Sequence, residues 1–185
     1  MPKPDKRSRL IETATDRVHA QGFNQTTLAD VAEQADVPLG NVYYYFKTKQ
    51  ALGESVIDTR RAQYQSARDD WDKLPEPKQR LKAFVRMTLD NRKLLVERGC
   101  PIGTLCAELH KEHGPLADAA SDLFTEFLDW LTQQFKALGQ GKQARGSAIH
   151  VLSALQGATL LSHSFHSAQY IDSEAERLLS WLESL

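Results

Sequence analysis

Along this chain the apolar residues recur at helical spacing, and no stretch shows the strict alternation of a strand. Leu10, Ile11, Ala14, Thr15 and Val18 trace a first, mostly apolar stripe. Gly22 ends it as a residue that readily takes the backbone of a helix C-terminus, and Phe23 follows to close a small core. A second stripe, Leu28, Val31, Ala32 and Ala35, keeps the i, i+3, i+4, i+7 rhythm. Thr27 stands before it as an N-cap, and Asp30 puts negative charge in its first turn, where the helix dipole favours it. Asp36-Val37-Pro38 breaks this helix, and Pro38 suits the first turn of the next. That third helix, about Leu39–Tyr45, has two clear core positions, Val42 and Phe46, four apart. Tyr43, Tyr44 and Tyr45 are consecutive and cannot share one face, so at least one must point outward.

The remainder also reads as helix after helix. A fourth helix is predicted over about 50–73, with Leu52 and Val56 leading into Tyr64. Leu74-Pro75-Glu76-Pro77 ends it, and a fifth runs to about residue 97 with Leu81, Phe84, Val85, Leu89 and Leu95 as candidate core. Pro101 starts another, and Gly114-Pro115 precedes one rich in Leu123, Phe124, Phe127, Leu128, Leu131 and Phe135. After a Gly139-Gln140-Gly141 joint, two closing helices are predicted over about 142–166 and 171–182. Ile149, Leu152, Leu155 and Leu160 mark the first, and Ile171, Ala175, Leu178 and Leu182 the second. The pattern is all-α, with about nine helices. Wide apolar stripes and the small Gly157-Ala158 step suit a four-helix interface with the same pair of helices from a second copy. Leu152, Leu155, Gly157, Leu178 and Trp181 are its expected members.

Chemistry concentrates near the N-terminus. Two short helices separated by a tight turn, an aromatic run on the second and a Lys47-Thr48-Lys49 step after it make a helix-turn-helix suited to a DNA groove. Gly40 lets the backbone come close to a partner. A tyrosine joins a flat apolar face to a hydrogen-bonding tip, which fits a phosphate or a thymine methyl. Lys3, Lys6, Arg7 and Arg9 form either a basic arm able to track a DNA backbone or an ordinary solvated terminus.

The run Gly22-Phe23, Thr26-Thr27, Val31-Ala32, Ala35, Val37, Gly40-Asn41-Val42-Tyr43-Tyr44-Tyr45-Phe46 and Lys49 resembles the tetracycline-repressor (TetR) family of bacterial transcription regulators. The likeness spans residues 8–53. It implies a helix-turn-helix domain over residues 1–49, and a helical ligand-binding and dimerisation domain over 50–185. By the same likeness, Thr27 caps the second helix and touches a phosphate, while Gly40, Asn41 and Tyr43 face base edges or nearby backbone. Tyr44, Tyr45 and Lys49 go to phosphates, and Lys47 joins them through the charge of the basic step. Pro38-Leu39 departs from the family, where a small polar and a basic residue are common, and so removes one contact. The implied partners are a palindromic double-stranded operator, a second copy of the chain and a small-molecule effector. The implied function is a repressor released by that effector or by cysteine modification. An activator or a constitutive DNA binder is the alternative, and a helical-bundle enzyme a more distant one, because paired Glu-x-x-His motifs and nucleophile motifs are missing.

Charge refines this picture without changing it. The net charge is −1, and residues 1–49 hold seven Lys/Arg against six Asp/Glu, so specific binding to a short site is expected rather than general adhesion to nucleic acid. No run reaches the ~18–20 apolar residues of a membrane span, and no signal-peptide core opens the chain, so a cytoplasmic protein without a membrane partner is expected. Cys100 and Cys106 are too few for a disulfide scaffold. Cys100 precedes Pro101 at a helix N-terminus, a position that favours a thiolate. Its Gly99-Cys100-Pro101-Ile102-Gly103 run resembles one in a TetR subgroup whose members sense electrophiles or oxidants. The alternative is that both cysteines are small buried hydrophobes. His110 with His113, and His163 with His166, have a spacing that could chelate, but lack a carboxylate partner, so neither a metal nor another cofactor is expected. Trp71, Phe84, Met87, Phe124, Phe127 and His163 are the candidate lining of an effector pocket.

Overall fold

The computed structural model describes residues 5–111 and 113–185, and among them there are ten α-helices and no strand. They are α1 (Lys6–Gln21), α2 (Leu28–Gln34), α3 (Leu39–Tyr45), α4 (Lys49–Asp72), α5 (Pro77–Asp90), α6 (Arg92–Arg98), α7 (Pro101–Leu109), α8 (Pro115–Ala137), α9 (Ala144–Ser164) and α10 (Gln169–Ser184). A 3-10 turn at Gly141–Gln143 leads into α9. The predicted fifth helix is two. It breaks at Asn91, whose side-chain amide donates to the carbonyl of Met87 at 2.8 Å and competes with the helical ladder. Counted as one bent helix, α5 and α6 bring the total to the nine that the apolar pattern gives.

The chain divides into two compact units. One holds the described residues up to 63 together with 101–121, and the other holds 64–100 with 122–185. This packing does not follow the 1–49 and 50–185 division of labour, because α7 and the start of α8 join the N-terminal helices. In the first unit the core is Leu10, Ala14 and Val18 of α1, Phe23, Val31 and Ala32 of α2, Val42 of α3, Phe46, and Leu52, Val56 and Ile57 of α4. Gly22 closes α1 at φ +90°, with its N–H donating to Val18 O at 3.0 Å. Asp5 caps the start of α1 by accepting from the Ser8 N–H at 2.8 Å.

In the second unit, α10 packs on both α5 and α9, and α6 on α9. Leu81, Phe84, Val85, Leu123, Phe127, Trp130, Leu131, Phe135, Val151, Leu155, Ile171, Leu178 and Leu182 are buried there. The apolar residues of α9 divide in two. Leu152, Leu155 and Ala158 face the unit's own core, whereas Ile149, Leu160 and Leu161 are exposed. Leu152, Leu155 and Leu178, expected at a contact between copies, are buried within the subunit itself, where α9 and α10 pack together. Trp181 is half-buried, its ring 5.7 Å from Phe135 and 5.3 Å from His150 between centroids, and Gly157 alone of the five is exposed.

Candidate nucleic-acid interface

Thr27 and Asp30 form a reciprocal capping box. The Asp30 N–H donates to Thr27 Oγ1 at 3.1 Å, and the Thr27 N–H to Asp30 Oδ2 at 3.0 Å. Hydrogen bonds from the Thr27 side chain and the Thr27 N–H hold the Asp30 carboxyl below its ordinary value. Arg17 lies 3.8 Å from the same carboxylate and bonds Gln34 Oε1 at 2.8 Å, so α1 grips both ends of α2.

The turn into α3 is set by Asp36, which has φ +51°, a left-handed conformation that aspartate tolerates better than most residues. The Val37 N–H reaches back to Ala32 O at 3.0 Å, and Arg9 donates to Asp36 O at 3.3 Å. Pro38 is the N-cap of α3 rather than its first helical residue. Val42 and Phe46 are almost fully buried and fix the rotation of this two-turn helix. Tyr44 then stands 75% exposed and Tyr43 48% exposed. Tyr45 is half-buried and meets Tyr44 edge-on, with centroids 5.0 Å apart. Gly40 lies on the open side, where a Cβ would meet nothing within 4 Å. Asn41 is half-buried, and Lys47 is exposed.

Two basic features are organised differently from the expectation. Lys6, Arg7 and Arg9 are helical, because Asp5 starts α1 ahead of them, and Arg7 lies 5.6 Å from the Phe46 ring centroid. Lys3 falls outside the described residues. Lys49 is occupied within the unit: its ammonium donates to Asn24 O at 2.9 Å and sits 4.8 Å from the Phe23 ring centroid. The Asn24 N–H meanwhile donates to Glu108 of α7 at 2.9 Å. The turn between α1 and α2 is thus clamped from α4 and α7. Glu108 is 84 positions from Asn24, and no local pattern marks that pairing.

The effector-pocket candidates do not form one wall. Trp71 and Met87 line a cavity of about 650 Å³ between α4 and α5, together with Ala67, Leu74, Ala83 and Arg86. Phe84 and Phe127 are buried in an aromatic cluster, their centroids 5.8 Å apart, and Phe124 contacts Phe127 at 6.1 Å. His163 is elsewhere, with Nδ1 3.0 Å from Val96 O where α9 meets α6. His110 is also engaged: its ring nitrogens lie 3.2 Å from Cys106 O and 3.2 Å from Ser121 Oγ. Cys100 and Cys106 are half-buried, and neither is in a disulfide. Among the described residues no group of three or more potential metal ligands comes together, and no helix is long and apolar enough to cross a membrane.

Comparison with known proteins gives this geometry a context. Residues 10–56 match the family of bacterial regulatory proteins of the tetR type, and residues 77–177 match the LmrA/YxaF-like transcriptional regulator C-terminal domain. The chain is 25% identical over 146 residues to the transcriptional repressor DhaR of Mycobacterium sp. (strain GP1), covering 77% of this chain and 70% of DhaR. It is 23% identical over 164 residues to the uncharacterized regulator YxaF of Bacillus subtilis, covering 85% of each. A TetR regulator from Legionella pneumophila superposes with a TM-score of 0.86 at 17% identity, over 96% of this chain and 97% of that one. E. coli NemR in its reduced form gives 0.78 at 21% identity, over 94% and 95%. The helix-turn-helix geometry and the two family matches, one spanning more than half of the sequence, together place the chain in the TetR family of bacterial transcriptional regulators.

Proposed function

We propose that the protein is a cytoplasmic, homodimeric repressor that binds a palindromic operator and is released by a small molecule. The observation that carries this reading is the outer face of α3. Two turns of helix are anchored mainly by Val42 and Phe46, and present Tyr43, Tyr44 and an unobstructed Gly40 to solvent. No packing need of the subunit accounts for that face. A duplex groove does, with the tyrosines on phosphates or thymine methyls and the Gly40 backbone close to the DNA. Thr27 and Lys47 extend the contact to flanking phosphates, and Asn41 and Tyr45 support its edges. Lys49 serves mainly by fixing the turn at Asn24, though its remaining donors can still reach a phosphate.

One recognition helix reads few base pairs, so specificity requires two copies at half-sites centred ~34–36 Å apart. The exposed Ile149, Gly157, Leu160 and Leu161 face of α9 is the surface for that pairing. DhaR and NemR are named as repressors, which supports repression over activation.

The test is a gel-shift titration on a palindrome from the protein's own promoter at several salt concentrations. Binding is expected to weaken steeply with salt. Tyr44→Ala should weaken it about tenfold or more, with unchanged thermal stability, as expected for a lost contact of roughly 1–3 kcal/mol. No specific shift at low salt would reject the reading. Cys100, directly before α7, is a second release point in this proposal. N-ethylmaleimide should abolish the shift for the native chain and spare Cys100→Ser.

A further inference from the structure

Tyr64 opens the second unit and is only 5% exposed, yet its hydroxyl has no hydrogen-bond partner among the described residues. Its surroundings are mostly aromatic, with the partly exposed Arg68 guanidinium 5.9 Å from its ring centroid. Phe127 lies 4.0 Å away between centroids and Trp71 6.1 Å, and Trp71 in turn meets Trp130 at 5.3 Å and Phe84 at 5.7 Å. Trp130, by contrast, is satisfied, since its Nε1 donates to Asp72 Oδ1 at 3.0 Å. A buried hydroxyl without a partner is destabilising, and phenylalanine would fill the same space without that penalty. Burial also pushes the Tyr64 phenol above its ordinary value, so the group stays protonated and offers a proton rather than a charge.

Trp71 links the Tyr64 ring to the cavity between α4 and α5. It is half-buried, it contacts Tyr64, and it forms part of the cavity wall with Ala67, Leu74, Ala83 and Met87. The charged side chains on the cavity wall, Asp70, Arg86 and Asp90, carry both signs and are exposed, and Asp70 is already paired with Lys73 at 2.6 Å. They provide no buried counter-charge for an ion entering among the rings.

We propose that the effector of this protein is a flat, uncharged aromatic molecule that enters beside Trp71, stacks in the Trp71–Phe127 cluster and accepts a hydrogen bond from the Tyr64 hydroxyl through a carbonyl, ether or ring-nitrogen atom. This rests on the reading of the chain as an effector-responsive regulator, and adds to it the chemical class and the residue that selects it. Movement of Trp71 opens the route, and the waiting donor distinguishes such a molecule from a plain hydrocarbon of the same shape. A site with an unmet donor rejects a ligand that leaves it unmet.

The test uses two probes of nearly equal shape, 2-acetylnaphthalene and 2-ethylnaphthalene, titrated calorimetrically into the full-length protein without DNA. The ketone is expected to bind at least about tenfold tighter. Tyr64→Phe should cut that preference to about twofold or less, and leave the hydrocarbon's affinity within about twofold of native. Independently, ligand-free Tyr64→Phe should melt at a higher temperature than the native chain. Absence of saturable binding by both probes, equal affinities in the native protein, a preference that survives Tyr64→Phe, or a lower melting temperature for that variant would each overturn the proposal. A native ketone preference lost in the variant, alongside no operator binding at any salt, would uphold the site and reject the regulator reading instead.

Discussion

At the scale of single residues, the interface helix trades stability for access. Gly40 sits in a helix where a Cβ would meet nothing within 4 Å, so the subunit gains nothing from its missing side chain. Gly40→Ala should raise stability by about 0.5–1 kcal/mol, the usual helical difference between the two residues, and weaken operator binding at the same time. Denaturant melts and gel shifts on one preparation check both halves. The Thr27–Asp30 box carries a pH signature. Because the Asp30 carboxyl is held below its ordinary 3.8 by bonds from Thr27, the ionised form is the one that the fold prefers. Its contribution is complete above that value and is lost as pH falls through the lower folded one. Asp30→Asn should therefore lessen the loss of melting temperature between about pH 5 and about pH 2. The cap was legible in the sequence because Thr27 and Asp30 are three residues apart. The Lys49–Asn24–Glu108 clamp was not, because its partners meet only after the chain has folded back.

Among the elements, α4 and α9 show how the same residue type acts oppositely in different surroundings. Gly53 is buried in α4, and a Cβ there would stand 2.7 Å from the Phe23 ring and 2.9 Å from Leu116 Cδ2. Gly53→Ala should cost about 1 kcal/mol or more in an equilibrium melt, since overpacking of ~1–3 kcal/mol exceeds the gain in helix propensity. On α9, Gly157 has open space around the same position. The apolar periodicity located α9 within a few residues at each end, but could not divide its two apolar faces. Leu152 and Leu155 point into the subunit, while Ile149 and Leu160 point out. Both sets obey helical spacing, and only the neighbouring helices determine which is covered. The break at Asn91 escaped for a related reason. Its side chain takes a backbone carbonyl that the pattern of apolar residues does not register.

For the whole molecule, the exposed α9 face and the short recognition helix have a common consequence. Leu160 is 64% exposed, far more than a single subunit requires of so large an apolar side chain. On the proposed pairing through α9, Leu160→Glu should shift the protein to monomer in analytical ultracentrifugation with little change in the circular dichroism of the subunit. Operator affinity should fall by at least about tenfold, since each half-site is then bound alone. A Leu160→Glu protein that remained dimeric would move the interface elsewhere.

What the sequence determined by itself was local in origin: the all-helical class, the helix ends set by Thr27, Pro101 and Pro115, and the family likeness carried by the Gly22–Lys49 stretch. Each depends on residues a few positions apart, within reach of one helical turn. Tertiary structure alone decided which apolar faces remain open, and that the six pocket candidates are divided between a cavity wall, a buried aromatic cluster and the α6–α9 contact. It also isolated the Tyr64 hydroxyl, a position that reads in sequence as ordinary helix core. Burial and hydrogen-bond satisfaction are properties of assembled elements, so they are written in the packing of the chain and not in its spacing.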